Sequence, residues 1–180
     1  MFRNTASLIA AAVLASGAFV AAQAPAPGRA AAQESKTDQT FASKAAIAGM
    51  AEVELGKMAT QQGGNARVKS FGQQMITDHT KAGDELKSIA KSKGMTLPTA
   101  LDPMHQATRD RLAKLSGAEF DRAYMDAMVM GHQTVATDMM TEANGGSDPE
   151  LKAFAAKTLP TVQGHLKMAQ SIQKEVASTK

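Results

Sequence analysis

The sequence predicts an all-α protein, an up-down-up-down four-helix bundle with a short extra helix between the second and third long helices. Three observations carry that prediction. Apolar residues recur at three-and-four spacing along four long segments, glycine or glycine/proline clusters separate those segments, and no stretch alternates with the two-residue period of a strand. Short connections at 1–2 and 3–4 make each of those pairs antiparallel neighbours.

Taken in order, Met1 to Ala32 reads as a secretory signal: Arg3 precedes an Ala-rich apolar run from Ala6 to Ala22, and small-residue cleavage candidates stand at Ala22-Gln23-Ala24 and Ala30-Ala31-Ala32. Pro25 disfavours the first of them. An N-terminal membrane anchor is the rival reading, weakened by the shortness of the run and the glycine within it. Gln33 to Gln39 is polar and expected to be a flexible leader, and residues 40–177 form the bundle domain. The first helix is expected from near Thr40 to Gln62, with Phe41, Ile47, Ala48, Ala51, Leu55 and Met58 as its buried stripe and Gly63-Gly64 ending it. On that frame Glu54 points inward and Glu52 turns away.

The second helix covers about Asn65 to Lys93, its stripe running through Val68, Phe71, Met75, Ile76, Ala82, Leu86 and Ile89. Asp102-Pro103 is a cap followed by proline at the first helical position and opens the short helix, which reaches Leu115. Ser116-Gly117-Ala118-Glu119 matches a capping box and starts the third long helix, which continues to about Asn144. Asp148-Pro149 repeats the cap-then-proline start for the last helix, and Pro160 interrupts its hydrogen-bond ladder.

Bulk properties exclude several classes. Without Arg3 and Arg29 the chain has 18 basic residues against 17 acidic ones, a net charge of +1 that offers nothing to a polyanion, so nucleic acid is excluded as a partner. No segment after residue 32 is apolar enough to span a bilayer, so the mature chain has no integral membrane span. With no cysteine there is no disulfide, no thiol chemistry and no lipidated cysteine. The expected location is the periplasm, or association with the outer membrane.

The apolar stripes carry ionisable residues near their middles. Glu54, His79, His132 and His165 fall one to each long helix, and three imidazoles with a carboxylate are a ligand set for one transition metal such as zinc, iron or copper. At 1.5 Å per residue His79 and His132 are nearly level, while Glu54 and His165 are separated by roughly 13 Å. The plainer reading is of separate core polar residues, each satisfied by backbone, a neighbour or water. Met58, Met75, Met128 and Met168 each lie one turn from a candidate ligand, a copper(I)-like mixture, yet all sit on apolar stripes where methionine is ordinary filler. Asp78 and Asp121 are candidates to orient a ligand ring, or solvated charges and interhelical pairs at the rim. His105 belongs to the connector and reads as surface.

Several of these segments resemble one family. Phe41 through Glu54-Leu55-Gly56, Phe71-Gly72-Gln73-Gln74-Met75-Ile76-Thr77-Asp78-His79-Thr80, Phe120-Asp121-Arg122-Ala123-Tyr124 leading to His132, and Leu159-Pro160 followed by His165-Leu166 are similar to domain of unknown function 4142. Its members are exported bacterial proteins, often labelled putative outer membrane proteins, with a ferritin-like bundle. The resemblance, over about Phe41 to Glu175, implies the fold and export and supplies no activity. The di-iron chemistry of other ferritin-like proteins needs two Glu-x-x-His motifs, whereas Ile76, Val129 and Val162 stand three residues before the histidines. The expected protein is a non-enzymatic envelope bundle with an interior His/Glu metal site and a role in stress tolerance or metal handling. A metalloenzyme using the same cluster, redox or hydrolytic, and a purely structural or partner-binding bundle are the alternatives.

Overall fold

The first helix begins well before its apolar stripe. The structure, a computed structural model, describes residues 27–178, with side chains from residue 36, and the secretory signal expected over Met1 to Ala32 lies outside the described residues as far as residue 26. Five helices succeed one another: α1 Pro27–Gln62, α2 Ala66–Ser92, α3 Pro103–Leu112, α4 Gly117–Gly145 and α5 Pro149–Ser178. Gln33 to Gln39, expected as a flexible leader, are helical. Ala30 to Ala32 are strong helix formers, and Asp38 ties this turn to the bundle by accepting from Ser147 N and Asp148 N, each at 3.0 Å.

The caps expected from sequence form at two helices. Asp102 accepts from His105 N at 2.8 Å, and Asp148 from Glu150 N at 2.9 Å and Leu151 N at 3.0 Å. Asn65 caps α2 by accepting from Arg67 N at 2.7 Å. Ser116 precedes α4 without a side-chain cap bond, so the capping box is not made. α5 runs through Pro160 without a break.

The bundle is all-helical as expected, but its helices do not alternate up-down-up-down. Asp121, in the first turns of α4, accepts from Gly64 N at 3.0 Å and Asn65 N at 2.8 Å, and Gly63 bridges to Gly117, so α4 starts beside the α1–α2 turn. Asn65 Nδ2 donates to Glu175 Oε1 at 3.0 Å, which brings the end of α5 there too. At the opposite end, Lys93 pairs with Asp148 at 2.7 Å and Asp38 holds the α4–α5 turn. The helices therefore run up, down, down, up, and residues 93–116 cross the full length of the bundle. The crossover's hydrophobic residues track its course: Met95 and Leu97 pack in the cluster around Phe41 and Phe154, Leu112 and Leu115 in the cluster around Phe71 and Tyr124.

These two clusters fill opposite halves of the interior. Between them lies a polar layer at the middle of the bundle, formed by Glu52, His79, His132 and His165, all buried. α1 and α2 approach closely at two glycines. A Cβ on Gly56 would stand 2.7 Å from Gly72 O, and one on Gly72 would stand 2.7 Å from Ala59 Cβ, so only glycine admits this approach.

Candidate metal centre

Each imidazole owes its inward position to its place along a helix. His79 is the central residue of α2, His132 is one past the centre of α4, and His165 is within two of the centre of α5. Their rings form a nearly equilateral triangle, with centroids 5.7 Å apart for His79–His132, 5.3 Å for His79–His165 and 5.5 Å for His132–His165. One nitrogen from each ring lies within 4.8 Å of the other two.

The carboxylate that joins them is Glu52, not Glu54. Glu52 Oε2 is 2.8 Å from His79 Nδ1 and its Oε1 is 3.3 Å from His132 Nδ1, whereas the Glu54 side chain is 43% exposed and faces Arg109 Nη1 at 3.7 Å. The inner face of α1 runs Ala42, Ala45, Glu52, Leu55 and Ala59, each packed in the core or lining it. A frame built on Ile47 and Met58 rotates the helix away from this face. In an alanine-rich helix small residues occupy both frames, so apolarity alone does not choose between them. The 3-4 spacing of Leu55 and Ala59 after Glu52 is the signal that does.

The remaining nitrogens divide in a consistent way. His79 Nδ1 faces Glu52, His132 Nδ1 donates to Met128 O at 2.9 Å, and His165 Nε2 donates to Asp78 Oδ2 at 2.9 Å. Carbonyl and carboxylate oxygens only accept, so a proton sits on His132 Nδ1 and on His165 Nε2, which sets the tautomer of each ring when neutral, and the Glu52 carboxylate favours a proton on His79 Nδ1. Among the described residues the opposite atoms, His79 Nε2, His132 Nε2 and His165 Nδ1, are buried and without a hydrogen-bond partner, as is Tyr124 Oη. Asp78 thus orients a ring, that of His165, from the neighbouring helix. Asp121 does not approach the imidazoles: it is buried and holds the α1–α2 turn.

Electrostatics derive from the same contacts. Burial pushes the Glu52 carboxyl up, but the facing rings of His79, His132 and His165 outweigh it and bring the value down to about 2. Burial likewise works against a charged His79, and the Glu52 carboxylate overcomes it and raises the ring above its ordinary value. His165 is lowered, by burial first and by the neighbouring imidazoles, against the pull of Asp78. Burial and the Glu52 charge together raise the Tyr124 hydroxyl, keeping it protonated.

The methionines belong to the packing. Met75 and Met128 are fully enclosed in the cluster with Phe71, and Met58 and Met168 pack against it. His105 is part-buried on the crossover, with Nδ1 2.7 Å from Asp102. A surface groove of about 250 Å³ between α1 and α4, bordered by Lys36, Lys44 and Glu142, has none of the imidazoles in its lining.

Residues 23–172 match the family described as Domain of unknown function (DUF4142). Among solved structures the fold is similar to a DUF305 fragment from Deinococcus radiodurans, with a TM-score of 0.69 at 13% identity, covering 77% of this chain and 96% of that one. At that identity the likeness is one of fold. None of the curated proteins matches the sequence.

Proposed function

This chain belongs to the DUF4142 family, and we propose that it is an exported, non-enzymatic bundle that holds one divalent transition-metal ion between His79, His132 and His165, serving metal handling or stress tolerance in the envelope. One observation carries the reading: the rings of His132 and His165 each hydrogen-bond an oxygen through one nitrogen, His79 pairs with the Glu52 carboxylate at 2.8 Å, and each ring leaves its other nitrogen buried and unpartnered among the described residues. Metal-bound imidazoles are held in this way, with the distal nitrogen donating to carboxylate or carbonyl oxygen. Three buried ring nitrogens without a partner are costly, at about 1–3 kcal/mol each, and a cation bound by the neutral rings satisfies all of them together.

The geometry is near what an ion needs. Metal–nitrogen bonds of about 2.0–2.1 Å in a tetrahedral arrangement place the nitrogens about 3.3 Å apart. One nitrogen of each ring lies within 4.8 Å of the other two, so an ion would draw the three closer together. An all-imidazole donor set suits zinc, copper, iron or nickel rather than calcium or magnesium. Glu52 serves as the anchor of two rings and as the negative charge that offsets the cation. Export rests on Arg3, the Ala-rich run and the small-residue cleavage candidates up to Ala32.

Metal analysis after loading with zinc or cobalt and gel filtration tests this. About one equivalent is expected in the wild type, lost in His79→Ala and His132→Ala and kept in Glu54→Ala. Equal metal content in all four proteins would refute the site, and so would none in any of them. Fractionation of cells expressing the full chain should find it in the envelope; retention in the cytoplasm refutes that part.

A further inference from the structure

The histidine triangle is closed on one side, and on the other His79, one of its three corners, borders a small cavity. Towards the α1–α2 turn, Phe71 lies 6.3 Å from the rings of both His132 and His165, with Met75 and Met128 packed beside it. Towards the opposite end is a cavity of about 30 Å³, into which Glu52 and His79 project together with Thr158. The rest of its wall is apolar, including Leu86, Val135 and Phe154. Its outer wall consists of Ala48 and Gly49 on α1 and Ala82 and Gly83 on α2, all part-exposed, and a Cβ on either glycine would meet nothing within 4 Å. Small residues alone would mean little here. The independent observation is His79, 8% exposed, which lines the cavity while its Nε2 is without a partner.

We infer that this cavity is the seat of a fourth, exogenous ligand of the ion: a water or hydroxide at rest, exchangeable for a small anion or a diatomic molecule that enters past Gly49 and Gly83. The inference rests on the metal-site reading given above. About 10–15 Å³ is enough for a water, so the cavity admits one, or a narrow molecule of two or three atoms, and rejects anything of side-chain size. The three imidazoles leave one position of a tetrahedral ion to be filled, the arrangement of open rather than closed sites. Glu52 stands in the wall to accept a hydrogen bond from a water placed there, and the apolar remainder admits few competitors. Phe71 prevents the same position from opening on the other side.

Azide added to the cobalt-loaded full chain tests the inference, read by the visible bands of the metal. A saturable shift of those bands is expected in the wild type. Ala48→Leu and Ala82→Leu, each of which adds bulk to the cavity wall and leaves all three imidazoles in place, should bind cobalt with the same stoichiometry and respond to azide about tenfold more weakly or not at all. Two variants on different helices guard against one of them misfolding. Cobalt bound with bands indifferent to azide would overturn the inference and leave the metal site standing, as would an azide response unchanged in a cobalt-loaded, cavity-filled variant. Failure of the wild type to bind cobalt would overturn both.

Discussion

Removing Glu52 should cost far more than removing Glu54, although the two residues are separated only by Val53. Glu52 is 5% exposed among three imidazoles, and its carboxyl is drawn from an ordinary 4.5 to about 2. A displacement of that size, at about 1.4 kcal/mol per pH unit, corresponds to about 3 kcal/mol of interaction favouring the ionised form. Its loss also leaves Nδ1 of His79 without its acceptor, and breaking a buried pair typically costs about 3–5 kcal/mol. Glu52→Ala in the metal-free protein should therefore lower stability by about 2–4 kcal/mol at pH 7. Because the group's value is depressed by folding, its contribution is present above 4.5 and fades as the pH falls towards 2, so the gap to wild type should narrow in acid. Glu54→Ala should change stability by at most about 0.5 kcal/mol, since an exposed pair at 3.7 Å contributes little. Urea unfolding followed by circular dichroism measures both, and is suited to a chain with one tyrosine and no tryptophan. With metal present, Glu52→Ala should also weaken affinity about 10–100-fold, as loss of a ring-orienting partner does. Equal effects of the two substitutions, or a neutral Glu52→Ala, would refute the assignment.

Two further outcomes rest on other parts of the fold. Glu142 is buried near Asp38, and burial first, then the Asp38 charge, raises its carboxyl to about 7. A carboxyl raised by folding stabilises most below its unfolded value, and that stability declines as the pH climbs from 4.5 to 7. Glu142→Gln should therefore match wild type near pH 5 and exceed it by about 2 kcal/mol at pH 8, after allowance for solvent screening at this end of the bundle; a constant difference across urea titrations at both pH values would count against it. Gly72→Ala drives a methyl into Ala59 and the Gly56 carbonyl and should destabilise by about 2–4 kcal/mol, whereas Gly131→Ala, where a Cβ meets nothing, should gain about 0.5–1 kcal/mol; thermal melts of the two should move in opposite directions, and a rise for both would show that α1 and α2 do not approach as described.

Most of the helices were legible because their signals are local. Asp102-Pro103 and Asp148-Pro149 specify starts through the cap and the first position, and both caps form. Helix direction was not legible, because it depends on how far a connection travels. Residues 93–116 contain Gly94, Pro98 and a ten-residue helix, which reads equally well as a folded-back link or as a crossing. The level of the histidines survived that error for a geometric reason: a residue at the midpoint of a helix keeps its height when the helix is inverted, and all three are within two residues of a midpoint. Counted from the α1–α2 turn, Glu52, His79, His132 and His165 now lie within roughly 8 Å of one another in height.

The rotation of α1 was the harder problem, and the structure shows what sets it. Its alanines pack nearly as well in either frame, so burial of apolar area discriminates weakly. Two contacts discriminate strongly. Gly56 lies against the Gly72 carbonyl with no room for a side chain, and turning α1 so that Glu54 faced inward would bring Met58 round towards the position this glycine makes possible. Glu52 is one turn from Gly56 on the same face, and His79 is two turns from Gly72 on its own face. Since α1 and α2 are antiparallel, both steps lead from the glycine contact towards the same end, about 6 Å along one helix and about 10.5 Å along the other. A glycine pair that pins two helices thus delivers a carboxylate to an imidazole across the seam. The buried pair contributes the complementary restraint, because replacing such groups by apolar ones is often neutral for stability while their displacement from one another is costly. Close approach of the backbones and pairing of Glu52 with His79 therefore select the same rotation, and it is that agreement, more than the hydrophobicity of α1, that assembles the layer in which three imidazoles meet.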